Sequence, residues 1–126
     1  MKNIVLSIPN ALLSEALARF LREKAGYCVY QEDNPQKLAD MCAIVDADVL
    51  LCETRDYAPY TGEDWRDIYR AVKKRHAACR LALVVDEAAF PQAALRAQQA
   101  RSDGVIDAFF FESVSCEYIA AVIDSL

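Results

Sequence analysis

The length, composition and charge of the chain set broad limits on its class. It has 126 residues, of which 55% are hydrophobic and 26% charged, and its formal net charge is −5. A domain of this size buries enough apolar surface to fold without staples, and the composition excludes intrinsic disorder. An acidic chain with no basic run disfavours nucleic-acid binding by the domain itself, and its apolar stretches are far shorter than the ~20 residues that cross a bilayer.

The first quarter of the chain predicts a strand, a helix and a second strand. Ile4 to Ile8 is a short apolar run that predicts the first strand, and Asn10 after it is a suitable N-cap. The next apolar residues recur at helical spacing: Leu12, Leu13, Ala16, Leu17, Phe20 and Leu21. Gly26 ends this helix, and Tyr27 to Tyr30 favours a second strand.

The following segment predicts a second helix and a buried strand. Asn34 and Pro35 open the helix, whose apolar face carries Leu38, Met41, Cys42 and Val45. Asp48 to Cys52 predicts the third strand, and its unbroken apolar run indicates burial on both faces, as in a parallel sheet. After Glu53 comes the longest irregular segment of the chain.

The second half continues the alternation of helix and strand. Trp65 to Arg75 predicts a helix, and Leu81 to Val85 predicts a fourth strand. Phe90 to Arg101 predicts a fourth helix, and Val105 to Phe111 holds the fifth strand after a turn at Gly104. Ser113 or Ser115 caps the last helix, whose inward residues are Tyr118, Ile119 and Val122.

Five strands alternating with five helices predict one α/β domain over residues 1–126. Such alternation gives a parallel sheet covered by helices on both faces, a three-layer sandwich. Right-handed crossovers and short loops favour the flavodoxin-like strand order 2-1-3-4-5. Ligands of such folds bind at the carboxyl ends of the strands, so the residues directly after each strand are the candidate site.

The cysteines and the N-terminus favour a cytoplasmic protein. The five cysteines are odd in number and widely spaced without a CxxC pair, so neither a disulfide framework nor a zinc site is indicated. We interpret them as small buried hydrophobic groups; a reactive thiol is the alternative at Cys116, because a predicted helix N-terminus nearby would favour a thiolate. The opening run MKNIVLSIPN lacks the apolar region and cleavage site of a signal peptide.

Four segments at the strand ends carry a family resemblance. They are Ala47 to Glu53 (ADVLLCE), the opening KNIVLSIP, Leu81 to Asp86, and Gly104 to Phe110 (GVIDAFF). These resemble, in turn, the third, first, fourth and fifth strands of response-regulator receiver domains, the chemotaxis-protein-like family. The likeness covers the whole chain in length and element order. It implies a role in two-component signal transduction and no enzymatic activity.

The chemistry of receivers is phosphoryl transfer to an aspartate, and here the resemblance breaks down. Mg²⁺ is held there by that aspartate and an acidic pair, while a hydroxyl and a lysine bind the phosphoryl oxygens. By resemblance the acidic pair falls at Ile8 and Pro9, the phosphoacceptor at Glu53, the hydroxyl at Asp86, and the lysine at Phe111 or Glu112. None of these positions keeps the family's residue. The resemblance therefore implies a degenerate pseudo-receiver that lacks the phosphorylation site, the metal site and any cofactor.

The remaining groups at this edge each leave two interpretations open. Glu53 either mimics a phosphorylated aspartate or is a solvated acid at a strand end. The acidic residues there form either a cation site or a solvated rim: Glu53, Asp56, Glu63, Asp64, Asp86 and Glu87. The aromatic residues Tyr57, Tyr60 and Trp65 form either a partner platform or a cover for the sheet edge.

A second surface is implied by the resemblance alone. In receivers the face of the fourth helix, fifth strand and fifth helix is the usual dimer surface. Here the fourth helix carries an alanine-rich face that includes Ala93 and Ala97, and Phe110 belongs to a run of three phenylalanines on an edge strand. Core filling is the alternative for these residues. We expect a homodimer or a protein partner on this face, and no membrane contact.

Two functions of different class follow. The first is a phosphorylation-independent signalling and interaction module, either a stand-alone regulator or the N-terminal sensor half of a transcription regulator. The alternative is a small cofactor- or ligand-binding protein or enzyme on a flavodoxin-like fold. The turn Ser7-Ile8-Pro9-Asn10 disfavours that alternative, because it has no glycine to cradle a phosphate.

Overall fold

The computed structural model describes residues 2–54 and 65–126, which form alternating strands and helices. The strands are β1 (Asn3–Ser7), β2 (Cys28–Gln31), β3 (Val49–Thr54), β4 (Arg80–Val85) and β5 (Ala108–Phe111). The helices are α1 (Ala11–Glu23), α2 (Leu38–Ile44), α3 (Trp65–Arg75), α4 (Pro91–Ser102) and α5 (Cys116–Ser125). No helix in these two ranges combines the length and apolar character needed to cross a membrane.

The five strands form one parallel sheet in the order β2-β1-β3-β4-β5. This confirms the predicted flavodoxin-like fold class. The register sets the strand ends level at the carboxyl edge, since Ser7 pairs with Cys52, and Val85 pairs with both Thr54 and Phe111. The carboxyl ends of β1, β3, β4 and β5 therefore lie at one edge of the sheet.

Two apolar cores lie on opposite faces of the sheet. Successive strand residues point to opposite faces, so Ile4 and Leu6 enter the first core while Val5 enters the second. The first core is covered by α1 and α5, and the second by α2, α3 and α4. Burial of strand residues on both faces explains the unbroken apolar runs of β3 and β4.

Helix ends follow the signals in the sequence. The side chain of Asn10 accepts a hydrogen bond from the Leu13 backbone, and that of Ser115 accepts one from the Tyr118 backbone. Gly26 and Gly104 adopt positive φ, at 72° and 76°, after α1 and α4. Asn34 caps a short 3₁₀ turn, Pro35–Lys37, that precedes α2.

The predicted inward faces of two helices are wrong in part. Leu12 is 86% exposed, because α1 buries the stripe of Ser14, Leu17, Ala18 and Leu21 instead. Tyr118 is 51% exposed, because α5 turns Ile119 and Ile123 into the first core. The Tyr118 ring instead packs edge-on against Phe110, with 6.0 Å between ring centroids.

Candidate functional site

The candidate site is the carboxyl edge of the sheet, where the topology places the predicted switch-equivalent positions. Glu53 lies near the end of β3, which runs to Thr54, two residues beyond the predicted end. Ile8 and Pro9 follow β1, Asp86 follows β4, and Phe111 ends β5. The level strand ends bring these positions to one edge, as expected.

Glu53 is tied to the start of α1. Its Oε1 accepts a hydrogen bond from the backbone N–H of Asn10 at 3.2 Å. Asn10 is also the N-cap of α1, since its Oδ1 accepts from the Leu13 N–H at 3.2 Å. The carboxylate thus lies at the positive end of the helix dipole, which favours a negative charge. Glu53 is half-buried and hydrogen-bonded, so the interpretation of a merely solvated acid is incomplete.

The two residues after β1 offer no ligand oxygen from a side chain. Ile8 is only 1% exposed and belongs to the first core, together with Leu6 and Leu17. Pro9 is exposed and carries no polar side-chain atom. Mg²⁺ prefers carboxylate and water oxygens, and in receivers this pair supplies them. The residues present at this position therefore do not fit a magnesium ion.

Asp86 closes the turn that leads into α4. Its Oδ1 accepts hydrogen bonds from the backbone N–H groups of Ala88 and Ala89, at 3.2 and 3.1 Å. Beside it, Ser113 donates its hydroxyl hydrogen to Glu87 Oε1 at 2.8 Å. Asp86 serves as a turn residue, and its negative charge stands where receivers present a neutral hydroxyl to the phosphoryl group.

The end of β5 is aromatic. Phe111 is 38% exposed, and its ring packs edge-on against Phe109 with 5.7 Å between centroids. A phenyl ring donates no charged hydrogen bond, so this position cannot bind a phosphoryl oxygen as a lysine does. Phe109 packs against the second core and Phe110 lies in the first, so neighbouring phenylalanines face opposite sides of the sheet.

The electrostatics of this edge are acidic. Among the residues that the structure describes, the ionisable side chains that end or directly follow β3, β4 and β5 are Glu53, Asp86, Glu87 and Glu112. In the part of the chain that the structure describes, no three His, Cys, Asp or Glu side chains stand close enough to hold a metal ion. Asp56, Glu63 and Asp64, the other predicted members of the acidic rim, lie outside the described residues.

The predicted interaction residues are corrected by their burial. Ala93, Ala97 and Phe110 are buried within the chain's own fold, so they form no contact surface. Ala97 is small because α4 packs closely on the sheet over the second core. Trp65 is also buried in the second core, which favours the cover over the platform. Tyr57 and Tyr60 lie outside the described residues.

The environment of Cys116 disfavours the alternative of a reactive thiol there. Cys116 is the first residue of α5, but burial and then the charge of Glu117 raise the pKa of its thiol. The contact that sequence reasoning missed is the bond between Glu53 and the Asn10 backbone. It has no sequence signal, because it joins residues 43 positions apart.

Comparisons with known proteins place the fold. No protein-family model and no curated protein matches the sequence. A DNA-binding response regulator of the LuxR family from Staphylococcus aureus is similar in structure, with a TM-score of 0.78, 12% identity, and 99% of this chain and 98% of that chain covered. A response regulator from Desulfuromonas acetoxidans gives 0.77 at 15% identity, covering 99% and 95%. The chain has the receiver fold.

A third solved structure is also similar to this chain in fold. The response regulator receiver domain protein from Clostridium thermocellum is similar with a TM-score of 0.68 at 16% identity, covering 99% of this chain and 93% of that chain. At identities this low, the structural similarity establishes the architecture of the chain alone.

Proposed function

We propose that this chain is a signal-transduction module that uses the receiver fold without phosphorylation of an aspartate. The observation that carries the proposal is the bond between the Glu53 carboxylate and the backbone N–H of Asn10. Glu53 stands at the phosphoacceptor position, and this hydrogen bond already uses its carboxylate within the protein. The receiver fold of the response regulators compared above supports the signalling role.

The neighbouring positions support the same proposal. Phosphoryl transfer to a carboxylate depends on cations placed where negative charge develops. Ile8 is buried among apolar residues, and Phe111 supplies no cation. The Asp86 carboxylate is bonded to two backbone N–H groups and would repel an incoming phosphoryl group. The edge thus carries the Asp86 carboxylate where receivers have a hydroxyl, and it lacks both the ligands for Mg²⁺ and the lysine that supply the cations for the reaction.

Glu53 further supports a fixed conformation. Its carboxylate provides one negative charge where a receiver gains charge on phosphorylation, and its hydrogen bond joins β3 to the start of α1. We propose that this contact biases the domain toward one of its two states. The output then depends on which partner is present rather than on a phosphoryl donor.

The test is exposure to acetyl phosphate with Mg²⁺, followed by intact-mass measurement. We expect no phosphoryl adduct on the wild-type chain. The matched variant Glu53→Asp restores the acceptor residue alone, and we expect no adduct there either, because Ile8 and Pro9 still offer no metal ligand. A stoichiometric adduct on the wild type at Glu53 or Asp86 would overturn the proposal. An adduct on Glu53→Asp would refute the argument from the lost metal site.

The partner is proposed to bind the face formed by α4, β5 and α5, as a second copy of the chain. The exposed apolar side chains on these elements are Leu95, Phe111 and Tyr118, which replace the buried residues predicted from sequence. The test is light scattering after gel filtration. Phe111→Asp is expected to convert a dimer to a monomer, whereas Leu12→Asp on α1 leaves it unchanged. A monomeric wild type, or a dimer in both variants, contradicts this assignment.

We place the module in the cytoplasm, either as a stand-alone regulator or as the sensor half of a transcription regulator. The similarity to a DNA-binding response regulator supports the second arrangement. Sequencing the source gene past the codon for Leu126 tests it. A downstream frame that encodes a basic helix-turn-helix supports the transcription regulator, and a stop codon supports the stand-alone form.

A further inference from the structure

The five helices differ sharply in charge. α3 and α4, which both cover the second core, carry seven cationic side chains and one anionic side chain. The other three helices, α1, α2 and α5, together carry two cationic and five anionic side chains. Because the net charge of the whole chain is −5, these cations are gathered on one side of an otherwise acidic molecule.

Most of these cations belong to α3. Five of its 11 residues are basic: Arg66, Arg70, Lys73, Lys74 and Arg75. Cations in the last turn stabilise a helix through its dipole, which accounts for the final three. Arg66 lies in the first turn, where a cation opposes the dipole, and Arg70 lies in the middle of the helix. The stability of the helix therefore does not explain these two arginines.

Three of the cations form a row along α3. Arg66, Arg70 and Lys74 are spaced four residues apart, so they follow one another along the helix over about 12 Å. The helix turns Trp65 and Val72 into the second core, which leaves Arg70 and Lys74 at the surface. The Arg70 side chain is 74% exposed. The row is therefore accessible to another molecule.

The contacts of the row within the chain leave its charge available. Arg70 Nη1 donates a hydrogen bond to Asp67 Oδ1 at 2.7 Å, but such an exposed pair contributes little, and the guanidinium keeps further N–H donors. The Arg66 guanidinium lies over the Trp65 ring, 4.8 Å from its centroid, which orients one end of the row. A guanidinium over an aromatic ring keeps its full positive charge.

We propose that the row Arg66, Arg70 and Lys74 binds a short acidic helix of a partner protein. Carboxylates placed four residues apart on such a helix match the three cations in spacing and in sign. A chain of nucleic acid fits less well, because it carries one negative charge per ~1.7 Å of duplex over a length that exceeds the row. Its remaining phosphates would face the acidic remainder of this chain, whereas a short helix meets the cations alone.

This surface is separate from those of the proposed function. Glu53 lies in β3, and the face proposed for the second copy is formed by α4, β5 and α5, so neither includes a residue of α3. Exposed charge pairs govern the speed and specificity of encounter more than the affinity. We therefore expect a weak complex that forms quickly and weakens as salt is added.

The experiment measures fluorescence anisotropy of a labelled synthetic peptide as the whole chain is added. The peptide has about 16 residues, long enough to form a helix, with glutamate at every fourth position among alanines. At about 0.01 M salt, where charges act over about 30 Å, we expect it to bind the wild-type chain. The same peptide with glutamine in place of glutamate is expected not to bind. Absence of binding by the glutamate peptide, or equal binding of the two peptides, would overturn the proposal.

Two matched double variants separate the row from the net charge of the chain. Arg70→Glu with Lys74→Glu is expected to reduce the affinity for the glutamate peptide about tenfold or more. Arg19→Glu with Lys24→Glu makes the same change in net charge at exposed positions of α1 and its C-cap, and is expected to bind nearly as wild type. Equal loss in both variants contradicts the assignment to α3.

A labelled DNA duplex is the competing probe. Tighter binding of the duplex than of the glutamate peptide, lost in the α3 variant, would overturn the acidic helix as the occupant. Circular dichroism verifies that each variant is folded. Arg70→Gln with Lys74→Gln removes the two charges without reversing them, and it repeats the comparison if the reversed pair unfolds.

Discussion

Replacing Ile8 with aspartate tests why the carboxyl edge lacks a metal site. Ile8 is 1% exposed and packs in the first core at the position of the first acidic residue of receivers. Loss of its buried side chain removes about 2–3 kcal/mol of apolar stabilisation. Burial of a carboxyl group without designed partners removes about 1–3 kcal/mol more. We expect Ile8→Asp to lower the free energy of unfolding by about 3–6 kcal/mol, and Tm by about 10–20 °C for a chain of this size.

The control is Leu12→Asp, the same kind of change at a residue that is 86% exposed. Leu12 lies in the first turn of α1, where a negative charge suits the helix dipole, so we expect a change within about 0.5 kcal/mol. The assay is urea unfolding followed by circular dichroism. If the two variants are equally stable, Ile8 does not belong to the apolar core. The claim that a buried core residue stands at the metal-binding position would then be refuted.

The dependence on pH adds a second criterion for Ile8→Asp. Burial raises the pKa of a carboxyl group in the folded state above its unfolded value of about 4. When the pKa of a group is higher in the folded state than in the unfolded state, its contribution to folding stability is most favourable at low pH and is lost as the pH rises. The deficit of Ile8→Asp relative to wild type should therefore be smallest below about pH 4 and grow toward neutrality. A deficit that is constant over this range would mean that the new carboxyl group is solvated.

Two further predictions concern Glu53 and Cys52. Glu53→Ala removes the acceptor for the Asn10 N–H and should lower the free energy of unfolding by about 0.5–1.5 kcal/mol. Glu53→Gln keeps an oxygen acceptor and should lose less stability. Indistinguishable thermal melts of the two variants and the wild type would show that the contact is not stabilising. Burial raises the pKa of Cys52 to about 12 from its ordinary 9.0, so the stability from its protonated thiol is complete below about pH 9 and is lost toward pH 12. The gap in unfolding free energy between wild type and Cys52→Ala should narrow across that window in urea titrations, and a gap that widens would contradict the assignment.

Most of the architecture was predictable because the strands are short apolar runs bounded by turn residues. The helix Trp65–Arg75 is confirmed at both ends, and Ser115 is one of the two predicted caps. Leu12 and Tyr118 were misplaced because helical spacing defines a stripe of residues but not the angle at which tertiary packing presents it. The sheet, not the helix, decides which neighbouring residues enter the core.

The candidate site was predictable in position but not in contacts. Strand order alone places Ile8, Glu53, Asp86 and Phe111 at one edge, and their side chains alone show which functional groups are missing. The bond from Asn10 to Glu53 uses a backbone N–H, which has no residue type to reveal it. The burial of Ala93 and Ala97 likewise depends on which side of α4 meets the sheet, and four alanines in one helix leave that ambiguous.

The order of strands also has a consequence for synthesis on the ribosome. The first strand made, β1, lies inside the sheet, and β3, β4 and β5 then add to one side in the order in which they are translated. Each new strand therefore emerges beside a partner that already exists. The apolar strand β4 keeps an open edge until β5 arrives, about 1–5 s later at ordinary translation rates. During that interval Leu81 to Val85 is the segment that a chaperone should protect from pairing with another nascent chain.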